Sequence, residues 1–192
     1  ERFGLPFVVV AVHRVVDRQL PRGGPGALLH RPRMLFLDEP PEEQIPIPDF
    51  RTMGDAPLTR PSPDLLDTIY QCQQRQDWYR AYARVNQAGA VDVVGSMSPS
   101  AEVVDSAAQI RSALGFEVGE RGSTFEDAIR VLIEGAERLG VLVMVSGVVG
   151  SNTHRKLDPR EFRGFALADD LAPLIFVNGS DTKAAQLFTI AH

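Results

Sequence analysis

Several absences bound what this chain can be. Cys72 is its one cysteine, which excludes an intrachain disulfide and any cysteine-only metal site within a single chain. Long hydrophobic runs are missing too. The stretch Leu5 to Val12 falls far short of the roughly 20 residues needed to span a bilayer, and no small-residue cleavage pattern follows it. Together these predict a cytoplasmic chain with no signal peptide, no membrane anchor and no membrane partner. Positive charge is not in excess: 20 Lys and Arg stand against 25 Asp and Glu, for a net charge of -5. That balance provides no broad attraction for nucleic acid or anionic lipid, although it leaves room for a local basic patch.

Common chemical signatures are absent as well. There is no Gly-x-x-x-x-Gly-Lys-Ser/Thr phosphate loop and no Gly-x-Ser-x-Gly nucleophile turn. Gly147-Val148-Val149-Gly150 lacks the third glycine and the helix opening that dinucleotide binding requires. The four histidines are His13, His30, His154 and His192, and no two have the helical spacing that presents a pair of metal ligands on one face. His154 falls in the polar stretch Gly150 to Arg155, which reads as a solvated loop. Asn178-Gly179-Ser180 matches the glycosylation acceptor pattern, which matters only in a secreted chain. No internal repeat is present, so a solenoid is excluded.

What is present suffices for one ordinary domain with an appendage, since the 192 residues are 44% hydrophobic. Residues 1–33 show neither helical nor strand period beyond Val12, and residues 34–60 read as an extended linker because prolines recur through Pro40-Pro41 and Ile45-Pro46-Ile47-Pro48. Ser62-Pro63-Asp64 is a helix start, with an N-cap hydroxyl, a proline at the first helical position and a carboxylate at the positive end of the dipole. Leu65, Ile69, Cys72, Gln76, Tyr79 and Ala83 form its inner stripe, Trp78 and Tyr82 widen that stripe as core residues, and Gly89 ends it. A second helix is predicted from Ser98-Pro99 to Gly115, with Val103, Ala107, Ile110 and Leu114 on one face. A third opens on the capping box Ser123-Thr124-Phe125-Glu126, buries Phe125, Ile129, Leu132, Ile133 and Ala136, and closes at Gly140.

After Gly140 the period changes. Val141 to Val145, Phe162 to Ala168 and Pro173 to Val177 read as strands, the last two forming a hairpin around a turn at Asp169-Asp170. The segment from Asp181 to His192 is again helical. The expected fold class is therefore α+β: N-terminal helices, then a small, mainly antiparallel sheet, then one more helix. Leu187, Ile190 and Ala191 fall on one side of that helix, and Leu174 and Phe176 on one face of the preceding strand. These two surfaces are expected to pack on each other.

The stretches Arg163 to Asp169, Ala172 to Gly179 and Asp181 to His192 resemble the metallopeptidase domain of the ImmA/IrrE family, in which a hairpin leads into a helix reading F-T-x-A-H-E-x-x-H. The resemblance extends back through Ser146 to Thr153 and, more loosely, through Arg75 to Trp78 and Phe36 to Pro41. It covers roughly residues 34–192. It implies a zincin-like domain over residues 61–192 whose active-site helix begins near Asp181, with zinc held by two histidines four apart and a glutamate as general base. By position His192 is the first zinc ligand; the glutamate, the second histidine and any third ligand are expected beyond it, so this chain carries no base.

The resemblance further implies that a full-length form is a regulatory metallo-endopeptidase cleaving a repressor or antitoxin-like protein. The alternative is a non-catalytic transcriptional regulator or sensor built on the same fold. Substrate peptide is expected to pair with the strand carrying Leu174, Phe176 and Asn178. Longer relatives place a helix-turn-helix module before the linker, and DNA is a partner only if such a module exists. Residues 1–33 do not resemble one. Three accounts are open for them: a divergent segment, a gene-model artefact, or translation of a helix-turn-helix region in a shifted frame, the last favoured by the abrupt change from arginine, glycine and proline richness at Met34.

Overall fold

The computed structural model of the protein describes residues 47, 50–51, 61–98, 101–117, 119 and 122–192. The readings of residues 1–33 and of most of residues 34–60 lie outside them. The fold is α+β. Strand β1 (Phe50–Arg51) is followed by helices α1 (Pro63–Val85), α2 (Val103–Leu114) and α3 (Phe125–Arg138). Strands β2 (Leu142–Ser146), β3 (Val148–Val149), β4 (Asn152–Lys156), β5 (Gly164–Leu167) and β6 (Leu174–Asn178) come next, and helix α4 (Lys183–Ala191) closes the order.

A four-stranded sheet runs β1-β5-β6-β2, with β3 and β4 forming a separate antiparallel pair. Within the larger sheet β1 and β6 are both antiparallel to β5, whereas β2 is parallel to β6, pairing Leu142 with Leu174 through Ser146 with Asn178. The sheet is thus mixed. Period-2 alternation assigns its faces. Phe165, Leu167, Leu174 and Phe176 join Leu65, Ile69 and Cys72 of α1 in the main buried cluster, and the Phe165 and Phe176 rings stack at 5.0 Å. Gly164 and Ala166 lie on the other face.

Helix α1 starts as its sequence dictates: the Ser62 hydroxyl accepts from the Leu65 N–H at 3.1 Å, and Pro63 opens the helix. Glu161 holds this cap from a distance of 99 residues, accepting from the Ser62 backbone N–H (2.6 Å) and hydroxyl (2.7 Å). The helix stops before Gly89. Asn86 is the C-cap, donating through its side chain to the Tyr82 carbonyl, and Gln87 takes the left-handed conformation at φ 53°. Trp78 and Tyr82 are not core residues: they are 70% and 54% exposed and stack on each other at 6.0 Å, on a flank turned away from the sheet.

Three further expectations need correction. Helix α2 starts at Val103, where the Glu102 carboxylate caps the Val104 N–H; Val103 is exposed, and Ser106 is the buried residue of this helix. The third helix is capped by Thr124 rather than Ser123. Its hydroxyl accepts from the Asp127 N–H and donates to the Asp127 carboxylate, and this one-residue shift turns Phe125 outward to 54% exposure. Within the predicted linker, Ile47 is buried in the main cluster and Phe50–Arg51 pairs with β5. The chain between Pro48 and Pro57 has no proline to interrupt a backbone ladder, so a short edge strand forms there. The predicted stops at Gly115 and Gly140 stand, both glycines having positive φ.

Cys72 shows how completely α1 is covered. It is 1% exposed, and burial pushes its thiol up from 9.0 to about 12 despite the opposing charge of Arg75. A raised pKa favours the folded state fully below the unfolded value, and that contribution fades as pH climbs from 9.0 toward about 12. The expected outcome is that iodoacetamide at pH 8 leaves native Cys72 unmodified over hours and labels it within minutes in urea. Rapid labelling of the native chain, followed by mass spectrometry, would contradict the packing described.

Candidate functional site at the hairpin to helix junction

The β5–β6 hairpin and the helix it launches are locked by four buried or half-buried polar side chains, Asp169, Gln76, Asn178 and Gln186. At the hairpin turn, Asp169 accepts from the Leu171 and Ala172 backbone N–H groups and pairs with Arg80 of α1 at 2.6 Å. Gln76, 6% exposed, donates to both the Leu167 and Ala172 carbonyls. The predicted turn at Asp169-Asp170 is therefore present, and it is clamped to α1. Gln76 sits in the stripe that spacing predicted, but its reason for being there is polar: it satisfies two carbonyls that would otherwise be buried without donors.

At the other end of β6, Asn178 is fully buried. Its side-chain amide donates to the Phe162 carbonyl at 3.1 Å, its side-chain oxygen accepts from the Ser180 N–H at 3.0 Å, and its backbone N–H donates to the Arg163 carbonyl at 2.8 Å. Gly179 donates to the Ser146 carbonyl, and a Cβ there would lie 2.9 Å from the Gly147 nitrogen. Thr182 caps α4 by accepting from the Ala185 N–H. Gln186, 2% exposed, returns to the turn and donates to the Gly179 and Asp181 carbonyls.

Helix α4 meets its neighbours differently from expectation. The helix does lie against β6, but Leu187, Ile190 and Ala191 pack with Phe116, Ala128 and Leu132 around α3, whereas Leu174 and Phe176 belong to the cluster against α1. The side turned to the sheet carries Gln186 and Thr189. The reason lies at Gly164, where an added Cβ would fall 2.6 Å from both the Phe176 carbonyl oxygen and the Thr189 methyl. A glycine on the strand lets the helix come this close, and a threonine fits the gap where leucine would not.

His192 is the C-cap residue of α4, its backbone N–H donating to the Phe188 carbonyl at 3.0 Å and its ring lying 6.3 Å from that of Phe188. It lines an apolar cavity together with Thr189, Ile190 and Ala191. The structure does not bring the other predicted site residues to a surface. Leu174, Phe176 and Asn178 are at most 3% exposed, and β6 is flanked by β5 and β2, so its backbone groups are paired on both sides. The substrate-docking role expected of β6 has no free edge to work with. Asn178 is a structural clamp, and as a fully buried side chain it is no glycosylation acceptor in the folded protein.

The edge belongs to β2. The Leu142 N–H and the Ser146 carbonyl bond toward the β6 side, so alternation turns the backbone groups of Val143 and Val145 outward. Among the described residues no strand pairs with that side. Sequence reasoning missed this because strand order is not written in strand pattern. It also missed the β3–β4 hairpin, whose residues Asn152 to Lys156 are mostly polar and exposed; His154 lies on β4, exposed, rather than in a loop.

Among the described residues no group of three or more His, Cys, Asp and Glu side chains converges as a metal site. His192 alone does not complete the tetrahedral set that zinc requires. In comparisons with known proteins, no family model, curated protein or solved structure matches this chain. No described helix is long and apolar enough to cross a membrane.

Asn178→Ala is expected to destabilise the protein by about 2–4 kcal/mol, because it removes the amide that donates to the Phe162 carbonyl and the acceptor of the Ser180 N–H. Urea unfolding followed by circular dichroism measures it. A loss below about 0.5 kcal/mol, within the range of an ordinary surface substitution, would refute the clamp.

Proposed function

We propose that this chain is part of a zinc-dependent regulatory metallo-endopeptidase of the ImmA/IrrE type, with His192 as its first metal ligand and the free edge of β2 as the place where substrate peptide docks. The observation that supports the reading is the junction: a hairpin clamped at both ends delivers, through a four-residue connection, a helix whose last turn presents His192. This is the order of parts from which the resemblance was read. The substrate class it implies is a repressor or antitoxin-like protein partner.

The physical roles of this chain's own residues follow from their placement. The peptide would add as a strand beside β2, accepting hydrogen bonds from and donating them to the outward groups of Val143 and Val145. Val145, whose side chain is 43% exposed, offers apolar contact along the same edge. Among the described residues no group of three or more His, Cys, Asp and Glu side chains converges at His192. On this reading the chain by itself is inactive and holds zinc weakly, and activity requires Glu-x-x-His directly after His192.

Two chains test this together: the one described and one continuing through His-Glu-x-x-His. The longer chain should retain one zinc per monomer after dialysis and lose it in His192→Ala, whereas the shorter should retain less than about a tenth of an equivalent, as one ligand cannot fill a tetrahedral site. Val145→Pro in the longer chain removes an outward donor and should weaken peptide binding about fivefold or more with zinc content unchanged. Stoichiometric zinc on the shorter chain, or unchanged peptide affinity in folded Val145→Pro, would overturn the corresponding half of the proposal. A longer chain that binds peptide yet holds no zinc would mark the non-catalytic regulator instead.

A further inference from the structure

The edge of β2 is met on its α1 side by a cation without a countercharge. Leu142 and Met144 turn toward α1, where they pack against the main cluster, so alternation sends Val143 and Val145 to the other face of the sheet. The Arg75 guanidinium of α1 donates to the Met144 sulfur at 3.3 Å. A thioether is a weak acceptor. Arg75 is exposed and forms no ion pair among the described residues, whereas Arg80 and Arg155 on the same side of the sheet are held by carboxylates. Gln71, Gln74 and Trp78 line a shallow groove with it on the exposed flank of α1, and none of them is charged. Asp77, two residues on, is bound to Arg80.

Sheet geometry dictates what would meet this cation. A peptide strand added to β2 bonds through the outward backbone groups of Val143 and Val145, so the peptide residue opposite Met144 makes no backbone bond to β2. In an antiparallel addition that is the closer of the two kinds of pair, with Cα atoms about 4.5 Å apart. Residues paired across two strands share a face, and their side chains touch. The side chain opposite Met144 therefore projects on the α1 side, over the thioether and within reach of the guanidinium that bonds it. A carboxylate there gives Arg75 a charged acceptor in place of sulfur. A lysine there meets like charge.

We propose that Arg75 sets the specificity of the β2 edge, selecting an extended peptide that places an aspartate or glutamate opposite Met144. The inference rests on the reading of β2 as the docking edge and needs neither zinc nor His192. Because the ion pair is exposed, the preference is modest: about threefold to fivefold for glutamate over glutamine at low ionic strength, and less in about 0.5 M NaCl.

NMR titration of the isotope-labelled chain tests it, with short end-capped peptides that alternate threonine and valine and carry glutamate, glutamine or lysine at one central position. Such peptides can slide along the edge, so one guest position suffices. Shifts of the Val143 and Val145 amides report docking, and their dependence on peptide concentration gives the affinity. The glutamate peptide should bind about threefold to fivefold more tightly than the glutamine peptide, and the lysine peptide most weakly. Arg75→Gln should erase the difference between glutamate and glutamine without weakening the glutamine peptide. Arg75→Glu should transfer the preference to lysine, an inversion that a loss of packing does not produce. Equal binding of the three peptides to the unaltered chain, or a glutamate preference that survives Arg75→Gln, would overturn the role of Arg75 and leave edge docking standing. No shift of Val143 or Val145 with any peptide at millimolar concentration would overturn the docking edge and this inference with it.

Discussion

The buried amide of Asn178 is the constraint from which the C-terminal half takes its shape. One side chain joins the approach to β5, the end of β6 and the start of α4, through bonds to the Phe162 carbonyl and the Ser180 N–H. A charged residue there would be buried without a countercharge, and an apolar one would take both of these bonds away. Because the connection to α4 is four residues long and Gly179 lies against Ser146 and Gly147, the helix has little freedom of direction. Gln186 closes the loop from the helix side. The position of His192 at the far end of α4 follows from these contacts.

A second set of polar clasps fixes α1 on the opposite face. Apolar burial supplies the larger stabilisation, as Leu65, Ile69, Phe162, Phe165, Leu174 and Phe176 are each at most 4% exposed and each contributes about 1.5–3 kcal/mol. That attraction is non-directional. The register of the helix along the sheet is set by groups that bond at one place only: Gln76 on the hairpin carbonyls, Arg80 on Asp169, Glu161 on Ser62, and Arg155 of β4 on Asp64 and Asp67. The two half-exposed ion pairs of Arg155 add little energy and position the β3–β4 hairpin.

On the opposite side of the sheet, among the described residues, α2 is held at its C-terminal end by the Arg138 guanidinium of α3, which donates to the Leu114 carbonyl at 3.0 Å. Helices α3 and α4 pack firmly around Phe116, Ala128 and Leu132, and Gly135 of α3 lets the end of α2 come close, since a Cβ there would fall 2.3 Å from the Leu114 carbonyl oxygen. Helix α2 touches this assembly mainly at its C-terminal end, and beyond that contact the cavity opens. A tight helix pair beside a loosely covered sheet face explains why the apolar residues of α2 are only half-buried although their spacing is that of an amphipathic helix.

Local signals in the sequence determined the elements themselves. Ser62-Pro63 started a helix because the cap and the fixed proline φ act within one turn, Gly115 and Gly140 ended helices because positive φ is costly elsewhere, and the β-branched and aromatic runs near 142–146 and 174–178 became strands. The α+β class followed from the order of those elements, as did the hairpin followed by a helix that leads to His192. Tertiary structure alone decided which strand lies inside the sheet, which side of α4 faces it, that Trp78 and Tyr82 point outward, and that Ile47 and Phe50–Arg51 join the fold. Period places residues on a face but does not say what covers that face. That choice depends on contacts between segments far apart in the chain, such as Glu161 with Ser62 and Gly164 with Thr189, whose geometry exists only once both segments are in place.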